Sequence, residues 1–134
     1  MFSRKKILVV EDNALNRSLL CQILSEDYDV VEAENGQEAL DIFAAREPGT
    51  YDAVLMDIRM PVMDGLEATR HIRGMTREDA RRIPIFALSA NAFADDIQRS
   101  LQCGMNTHFN KPVDMDSICA ALHYWLEHDK GNRP

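Results

Sequence analysis

Short runs of strand-forming residues alternate with amphipathic segments along the whole chain. Each run contains Val, Ile or an aromatic residue, and the runs lie at residues 7–10, 29–33, 52–57, 83–88 and 107–110. Between them apolar residues recur every three or four positions, which is typical of helices packed on one face. We predict helices over residues 14–25, 37–46, 65–73 and 92–102, and a last helix capped by Asp114 or Asp116.

The alternation of strands and helices predicts an α/β domain. We expect a single-domain (βα)5 fold, a doubly wound parallel five-stranded sheet of the flavodoxin-like kind, with strand order 2-1-3-4-5 and helices on both faces. Residues 74–82, GMTREDARR, are charged and lack periodicity, so we predict a solvated loop or a frayed helix end there. The most apolar strand ends in Asp57, a carboxylate that needs a partner or a function in such a place.

Composition and charge exclude several classes of function. The 134 residues are enough for one domain, and the formal net charge of −7 gives no general attraction to nucleic acid or anionic lipid. Three cysteines without CxxC spacing argue against a disulfide scaffold or a zinc site. The apolar run at 7–10 is too short for a signal peptide or a membrane span. We therefore expect no membrane insertion of this chain and a cytoplasmic location.

Ionisable and polar residues follow four of the five predicted strands. The acid pair Glu11-Asp12 follows the first strand, and Asp57 ends the third. Ser89 follows the fourth strand, and Lys111 follows the fifth. Doubly wound sheets bind ligands outside the carboxyl ends of their strands, so we expect these side chains to share one crevice.

The charges in that crevice predict a divalent cation. Three carboxylates at one rim repel each other, and a hard cation such as Mg²⁺ or Mn²⁺ with oxygen ligands relieves the repulsion. Asp12 and Asp57 fit as direct ligands, and Glu11 fits as a ligand through water. The backbone carbonyl of Arg59, in the loop after Asp57, would complete the set.

The same residues are suited to phosphoryl transfer. A carboxylate beside such a cation can act as a nucleophile toward phosphorus and form an acyl phosphate. The Lys111 ammonium and the Ser89 hydroxyl would then bind phosphoryl oxygens, since this chemistry depends mainly on positioning and charge neutralisation. The sequence therefore predicts a phosphoacceptor site centred on Asp57.

Four stretches of the chain resemble the receiver domain of two-component response regulators. They are ILVVEDN, MDIRMPVMDGLEATRHIR, PIFALSANA and GMNTHFNKP, and the resemblance covers residues 4–128, with 1–3 and 129–134 as tails. It implies that Asp57 accepts a phosphoryl group from a phosphohistidine of a histidine kinase or a phosphotransfer domain. It also implies self-catalysed phosphorylation and dephosphorylation, unlike a conventional enzyme, and a Lys111–Pro112 bond that is commonly cis.

Four motifs are similar to receivers of hybrid sensor histidine kinases: VEDNALNRSLL, NGQEAL, MDIRMPVMDGLEATRHIR and ALSANA. Such a receiver passes its phosphoryl group to a phosphotransfer domain, and it can be the cytoplasmic part of a membrane-bound kinase. A free-standing single-domain response regulator is the alternative. In both cases the resemblance implies a signalling face, suited to dimer formation, on the fourth predicted helix, the fifth strand and the last helix.

One position departs from the family pattern. Receivers often carry Tyr or Phe three residues before the lysine, as a ring that turns inward on activation, and here that position is His108. Phe109 falls on the opposite face of the strand because side chains alternate. His108 is therefore a candidate switch position with a different, protonatable ring. Arg59 and Asn91, each two residues past a site residue, would border the phosphoryl group and tune its hydrolysis.

Other classes of protein fit less well. A haloacid-dehalogenase-like phosphatase wants an acid two residues after its nucleophile, where this chain has Arg59. A flavodoxin-like FMN carrier needs a phosphate-binding loop after the first strand, where Glu11 and Asp12 would repel the anion. A noncatalytic interaction module is the third alternative, because a fold alone assigns no function.

Overall fold

A five-stranded parallel sheet with helices on both faces forms the structure, a computed structural model that describes residues 4–90 and 94–130. The side chains of residues 94–96 and 128–130 lie outside that description. The strands are β1 (Lys6–Val10), β2 (Asp29–Ala33), β3 (Ala53–Asp57), β4 (Ile85–Ser89) and β5 (Thr107–Asn110). The helices in the described ranges are α1 (Ala14–Leu24), α2 (Gly36–Ala44), α3 (Gly65–Arg73), α4 (Glu78–Arg82), α5 (Ala94–Cys103) and α6 (Met115–Lys130).

The strands follow the order β2-β1-β3-β4-β5 and every neighbouring pair is parallel, which confirms the predicted topology. The order reverses between β1 and β3, the two strands that precede the predicted acidic residues. Val10 lies opposite Met56, and Asp57 lies opposite Leu88. This register brings the carboxyl ends of three adjacent strands to one edge, where ligands bind in folds of this kind.

Side chains of the central strands alternate between two apolar cores. On one face the sheet packs against α2 and α3, where Phe43 and Ile72 are fully buried. On the other face it packs against α1 and α6, where Leu24 and Leu122 are fully buried. Strands β3 and β4 are buried along their whole length because both of their faces are covered. A polar side chain at the end of either strand is therefore held in a fixed position.

The prediction for residues 74–82 was wrong in part, because α4 forms within that segment. Arg77, at its start, donates two hydrogen bonds to Asp79 and one to the carbonyl of Phe43. Its guanidinium also lies 4.6 Å from the centre of the Phe43 ring, and the Gly49 N–H donates to Asp79. The contacts to Phe43 and Gly49 join residues 30 or more positions apart, so a search for local periodicity does not find them.

Helix α1 has two apolar rows with different surroundings. Leu20 and Leu24 are buried against the sheet, whereas Leu15, Leu19 and Ile23 are 68%, 51% and 40% exposed. The periodicity predicted the helix correctly, but the more regular of the two rows faces outward.

No helix of the described part of the chain combines the length and the apolar character that a membrane span requires.

We predict that Gly65→Ala destabilises the protein through the end of β3. A Cβ at Gly65 would overlap the carbonyl oxygen of Asp57 and would lie 2.8 Å from Met56 Cγ. The start of α3 would have to move away from the sheet, and we expect the free energy of unfolding to fall by about 2–3 kcal/mol in urea titrations. Gly74→Ala is the control, since a Cβ there meets its nearest atom at 3.3 Å. Equal losses for the two variants would contradict the close-approach explanation.

Candidate functional site

Two buried carboxylates lie at the carboxyl edge of the sheet. Glu11, directly after β1, is 1% exposed, and Asp57, the last residue of β3, is 3% exposed. Both follow apolar strand residues that the two cores hold in place. Neither acid can turn to solvent without disturbing that packing, so each carboxylate needs a charged or hydrogen-bonding partner within the site to compensate for its burial.

The compensation comes from Lys111, in the loop between β5 and α6. Its Nζ lies 2.8 Å from Asp57 Oδ2, to which it donates a hydrogen bond, and 2.8 Å from Glu11 Oε1. The backbone N–H of Lys111 donates to the Ser89 carbonyl at 2.8 Å, which ties the loop to the end of β4. The Lys111–Pro112 bond is cis, as the resemblance implied. One ammonium group therefore serves two buried carboxylates.

Backbone contacts hold Glu11 in its orientation. Its N–H donates to the Ala33 carbonyl at 3.1 Å, and its Oε2 accepts a hydrogen bond from the Asn13 N–H at 3.0 Å. Its Oε1 is buried and forms an ion pair with the Lys111 ammonium at 2.8 Å. A carboxylate oxygen has two lone pairs, so Oε1 can accept a further interaction besides this ion pair.

Burial and charge act in opposite directions on the three groups. Burial raises the pKa of Asp57 to about 7, and the negative charge of Glu11 adds to that effect while Lys111 opposes it. Burial also disfavours ionised Glu11, but its contacts with Lys111 and the Asn13 N–H outweigh this and lower the pKa of Glu11. Burial opposes the charge on Lys111, and the two carboxylates nevertheless raise the pKa of the Lys111 ammonium. The lysine stays charged, and the site holds more negative than positive groups.

The carboxylates present fit a divalent cation. One oxygen each of Glu11, Asp12 and Asp57 lies within 4.8 Å of the other two, and Asp12 is exposed at the mouth of the site. Hard divalent cations take oxygen ligands and often keep several waters, which suits two buried acids and one exposed acid. Three carboxylates face a single ammonium group, so their combined negative charge favours such a cation.

Two further predicted residues border this cluster. Ser89 is buried at the end of β4, one residue past the partner of Asp57 in the sheet register. Arg59 is exposed, and its backbone N–H donates to Asp57 Oδ1 at 3.3 Å. The loop after β3 therefore contacts the carboxylate that it follows.

His108 and Asn91 complete the set of predicted residues. His108 is half-buried on β5, opposite Ala87. Phe109 lies on the other face and packs edge-on against Phe86, with ring centres 5.9 Å apart, as strand alternation predicted. Asn91 lies outside the described residues, so its place stays a prediction.

Sequence reasoning missed two features of this edge. Arg17 donates a hydrogen bond to the backbone carbonyl of Glu11 at 2.9 Å, and no motif indicates such a contact. A cavity of about 570 Å³ opens between α1 and the β5–α6 loop, beside Lys111, and Leu19 and Ile23 are among its apolar lining residues. The second apolar row of α1 was visible in the sequence, but periodicity did not show that this row would be exposed beside a cavity.

Comparison with known proteins identifies the family. Residues 7–123 match the response regulator receiver domain family. The chain belongs to this family. This receiver domain is 40% identical over 124 residues to hybrid signal transduction histidine kinase A of Dictyostelium discoideum, a match over 91% of the chain. It spans only 6% to 18% of the lengths of the curated relatives that it matches.

Solved structures of receiver domains share the fold. The receiver domain of a sensor histidine kinase from Pseudomonas aeruginosa PAO1, with magnesium coordinated in its active site cleft, is 40% identical with a TM-score of 0.81. That similarity covers 93% of this chain and 99% of the other. The Ssk1 receiver domain of Saccharomyces cerevisiae, in complex with the histidine phosphotransfer protein Ypd1, is 30% identical with a TM-score of 0.81. The similarity covers 94% of this chain and 91% of that one.

We predict that Lys111→Met destabilises the cation-free protein. Removing the ammonium leaves Glu11 and Asp57 buried without a counter-charge, and we expect the free energy of unfolding at neutral pH to fall by about 2–3 kcal/mol. Denaturant titrations in the presence of a chelator measure this loss. Lys5→Met, which removes a more exposed lysine 4.0 Å from Asp52, should change the value by less than about 0.5 kcal/mol. A loss of the same small size for Lys111→Met would contradict the assigned role.

Proposed function

We propose that this receiver domain accepts a phosphoryl group on Asp57, with Mg²⁺ or Mn²⁺ as the cation and a phosphohistidine as the donor. The observation that carries the proposal is the grouping of Asp57 with one ammonium group and two further carboxylates. A buried acid that already lies 2.8 Å from a lysine is placed where a transferred phosphoryl group would also meet that lysine. The magnesium in the cleft of the Pseudomonas receiver supports the choice of cation.

Each step of the transfer has a residue to support it. An oxygen of Asp57 attacks phosphorus, the O–P bond forms, the P–N bond to the donor imidazole breaks, and its electron pair returns to the nitrogen. A bound cation would supply charge neutralisation on the phosphoryl oxygens. Lys111 moves its interaction from the carboxylate to a phosphoryl oxygen, and the Ser89 hydroxyl donates to another. Asp12, Asp57 and the Arg59 carbonyl would hold the cation directly, and Glu11 would hold it through water.

We predict that incubation with acetyl phosphate and Mg²⁺ adds one phosphoryl mass to the wild-type chain. The modification should be labile to base and to hydroxylamine, because an acyl phosphate reacts with both. Asp57→Asn should acquire none, and chelation of the cation should prevent uptake by the wild type. Asp64→Asn is the matched control, since Asp64 caps α3 and asparagine caps as well. Uptake by Asp57→Asn at the wild-type rate would remove Asp57 as the acceptor.

A helical phosphodonor fits the surface beside the site. The exposed row of α1 consists of Leu15, Leu19 and Ile23, and the last two line the cavity that leads to Lys111. Solvent-exposed apolar rows of this kind mark interaction surfaces. The yeast receiver with 30% identity forms a complex with a histidine phosphotransfer protein, which supports the same class of partner here. The donor histidine would then reach Asp57 from the α1 side.

We predict that Leu19→Glu slows phosphorylation by a phosphohistidine donor and not by acetyl phosphate. A charge in the apolar row would weaken docking, and we expect at least a tenfold loss in the rate of transfer from a phosphorylated histidine phosphotransfer domain. Leu101→Glu is the control, because Leu101 is 52% exposed on α5, away from this cavity. Equal slowing with both donors would show a damaged site, and no slowing with either would contradict docking on α1.

We also propose a setting for the domain. The hybrid histidine kinases among its relatives support a place in a hybrid sensor kinase on the cytoplasmic side, with a free-standing response regulator as the second candidate. The predicted signalling and dimer face corresponds to α5, β5 and α6, where Leu101 is exposed and His108 is the proposed switch position. The gene context distinguishes the two settings, since codons for a kinase core upstream would favour the hybrid.

A further inference from the structure

We propose that Arg17 is a positioning residue for the cation, since it fixes the peptide that joins Glu11 to Asp12. The inference rests on the proposed function, because it assumes that these acids bind a divalent cation. Arg17 lies in α1 and its side chain is only 13% exposed. It contacts no predicted ligand through that ligand's carboxylate, so its effect would pass through the backbone.

The guanidinium of Arg17 joins three segments at the edge of the sheet. One nitrogen, Nη1, donates to the Glu11 carbonyl at 2.9 Å, and Nε donates to Glu32 Oε1 on β2 at 3.0 Å. The other terminal nitrogen, Nη2, lies 3.6 Å from Glu34 Oε1. The planar fork of arginine makes such contacts in fixed relative directions. Glu32 and Glu34 thus hold the Arg17 guanidinium, which in turn holds the Glu11 carbonyl.

The Glu11 carbonyl lies where the strand pairing ends. The last paired residues of the two neighbouring strands are Val10 and Ala33, and the Glu11 N–H still reaches the Ala33 carbonyl. Backbone carbonyls need a donor when they are removed from water, and Arg17 supplies one. Since the peptide unit is planar, fixing this carbonyl also fixes the amide and Cα of Asp12.

The segment from Glu11 to Arg17 forms a closed set of contacts. The Asn13 N–H donates to the Glu11 carboxylate at 3.0 Å, and the Asn13 side chain accepts from the Asn16 N–H at 2.9 Å. The Arg17 N–H donates to the Asn13 carbonyl, and its side chain returns to Glu11. Asp12 lies inside this set and is exposed. The backbone from which its carboxylate extends is therefore held by its neighbours, with Arg17 as the contact that closes the set.

A positioning role and a purely electrostatic role predict opposite changes in Mg²⁺ affinity when the charge of Arg17 is removed. Removing a positive charge near three carboxylates would strengthen the attraction for a cation, so a charge effect gives tighter binding. Losing the orientation of Asp12 gives weaker binding, and residues that orient metal ligands commonly change metal affinity by about tenfold or more. The sign of the change therefore separates the two explanations.

The test measures Mg²⁺ affinity by calorimetric titration of the purified domain, with no phosphodonor present. We expect Arg17→Met to bind Mg²⁺ about tenfold more weakly than the wild type. Arg17→Lys, which keeps the charge but loses the fork, should also bind more weakly. The control is Arg77→Met, since Arg77 also pairs with an acid and a backbone carbonyl, at the other edge of the sheet. It should lower stability and leave Mg²⁺ affinity unchanged.

The outcomes separate this inference from the proposed function. Absence of Mg²⁺ binding by the wild type would overturn the proposed cation site itself. Wild-type binding together with unchanged or tighter binding by Arg17→Met would overturn the positioning role alone. Equal weakening by Arg17→Met and Arg77→Met would also overturn it, because a general loss of stability would then explain the result. Weaker binding confined to the two Arg17 variants supports it.

Discussion

The site depends on one ammonium group shared between two buried carboxylates. Lys111 lies 2.8 Å from both Glu11 and Asp57, and a single positive charge cannot neutralise two negative ones in a partly buried position. The exposed Asp12 adds a third carboxylate to the same rim. An arrangement with this excess of negative charge favours a divalent cation. In the proposed transfer, Lys111 would exchange its contact with Asp57 for a contact with a phosphoryl oxygen.

The parallel sheet is what makes this arrangement possible. Strands β1 and β3 lie side by side, and their carboxyl ends meet where the strand order reverses. The cores on both faces bury the strands that carry the acids, and burial is the main cause of the raised pKa of Asp57. In a solvated loop the same carboxylate would ionise freely and would not need Lys111. The fold therefore determines the chemistry through position and burial together.

The sequence predicted the elements and the site residues where local signals and topology coincide. Strand ends in a doubly wound sheet converge, so Asp57 and Lys111 were found from their places at the ends of predicted strands. Contacts between distant residues left no periodic signal, which is why α4 and its Arg77 brace were missed. The hydrogen bond from Arg17 to the Glu11 carbonyl was also missed. Every residue has a backbone carbonyl, so the sequence does not show which of them a side chain contacts. Likewise, periodicity showed that α1 is a helix but not that Leu19 would be exposed.

Contacts of two arginines at the opposite edge of the sheet offset the loss of stability that the repulsion between the acids causes. Arg73 is half-buried and donates to the carbonyls of Ala80 and Gly104 and to the Asn106 side chain, beside the start of β4. Arg77 satisfies Asp79 and the Phe43 carbonyl nearby. These guanidinium groups satisfy neighbouring carbonyls and carboxylates, whereas the carboxyl edge retains repulsion between its acids. Repulsion at a functional site lowers stability, and well-satisfied contacts elsewhere offset that loss. The two edges therefore differ in their contacts: one edge satisfies its charged groups, and the other keeps the charge repulsion on which the proposed binding site depends.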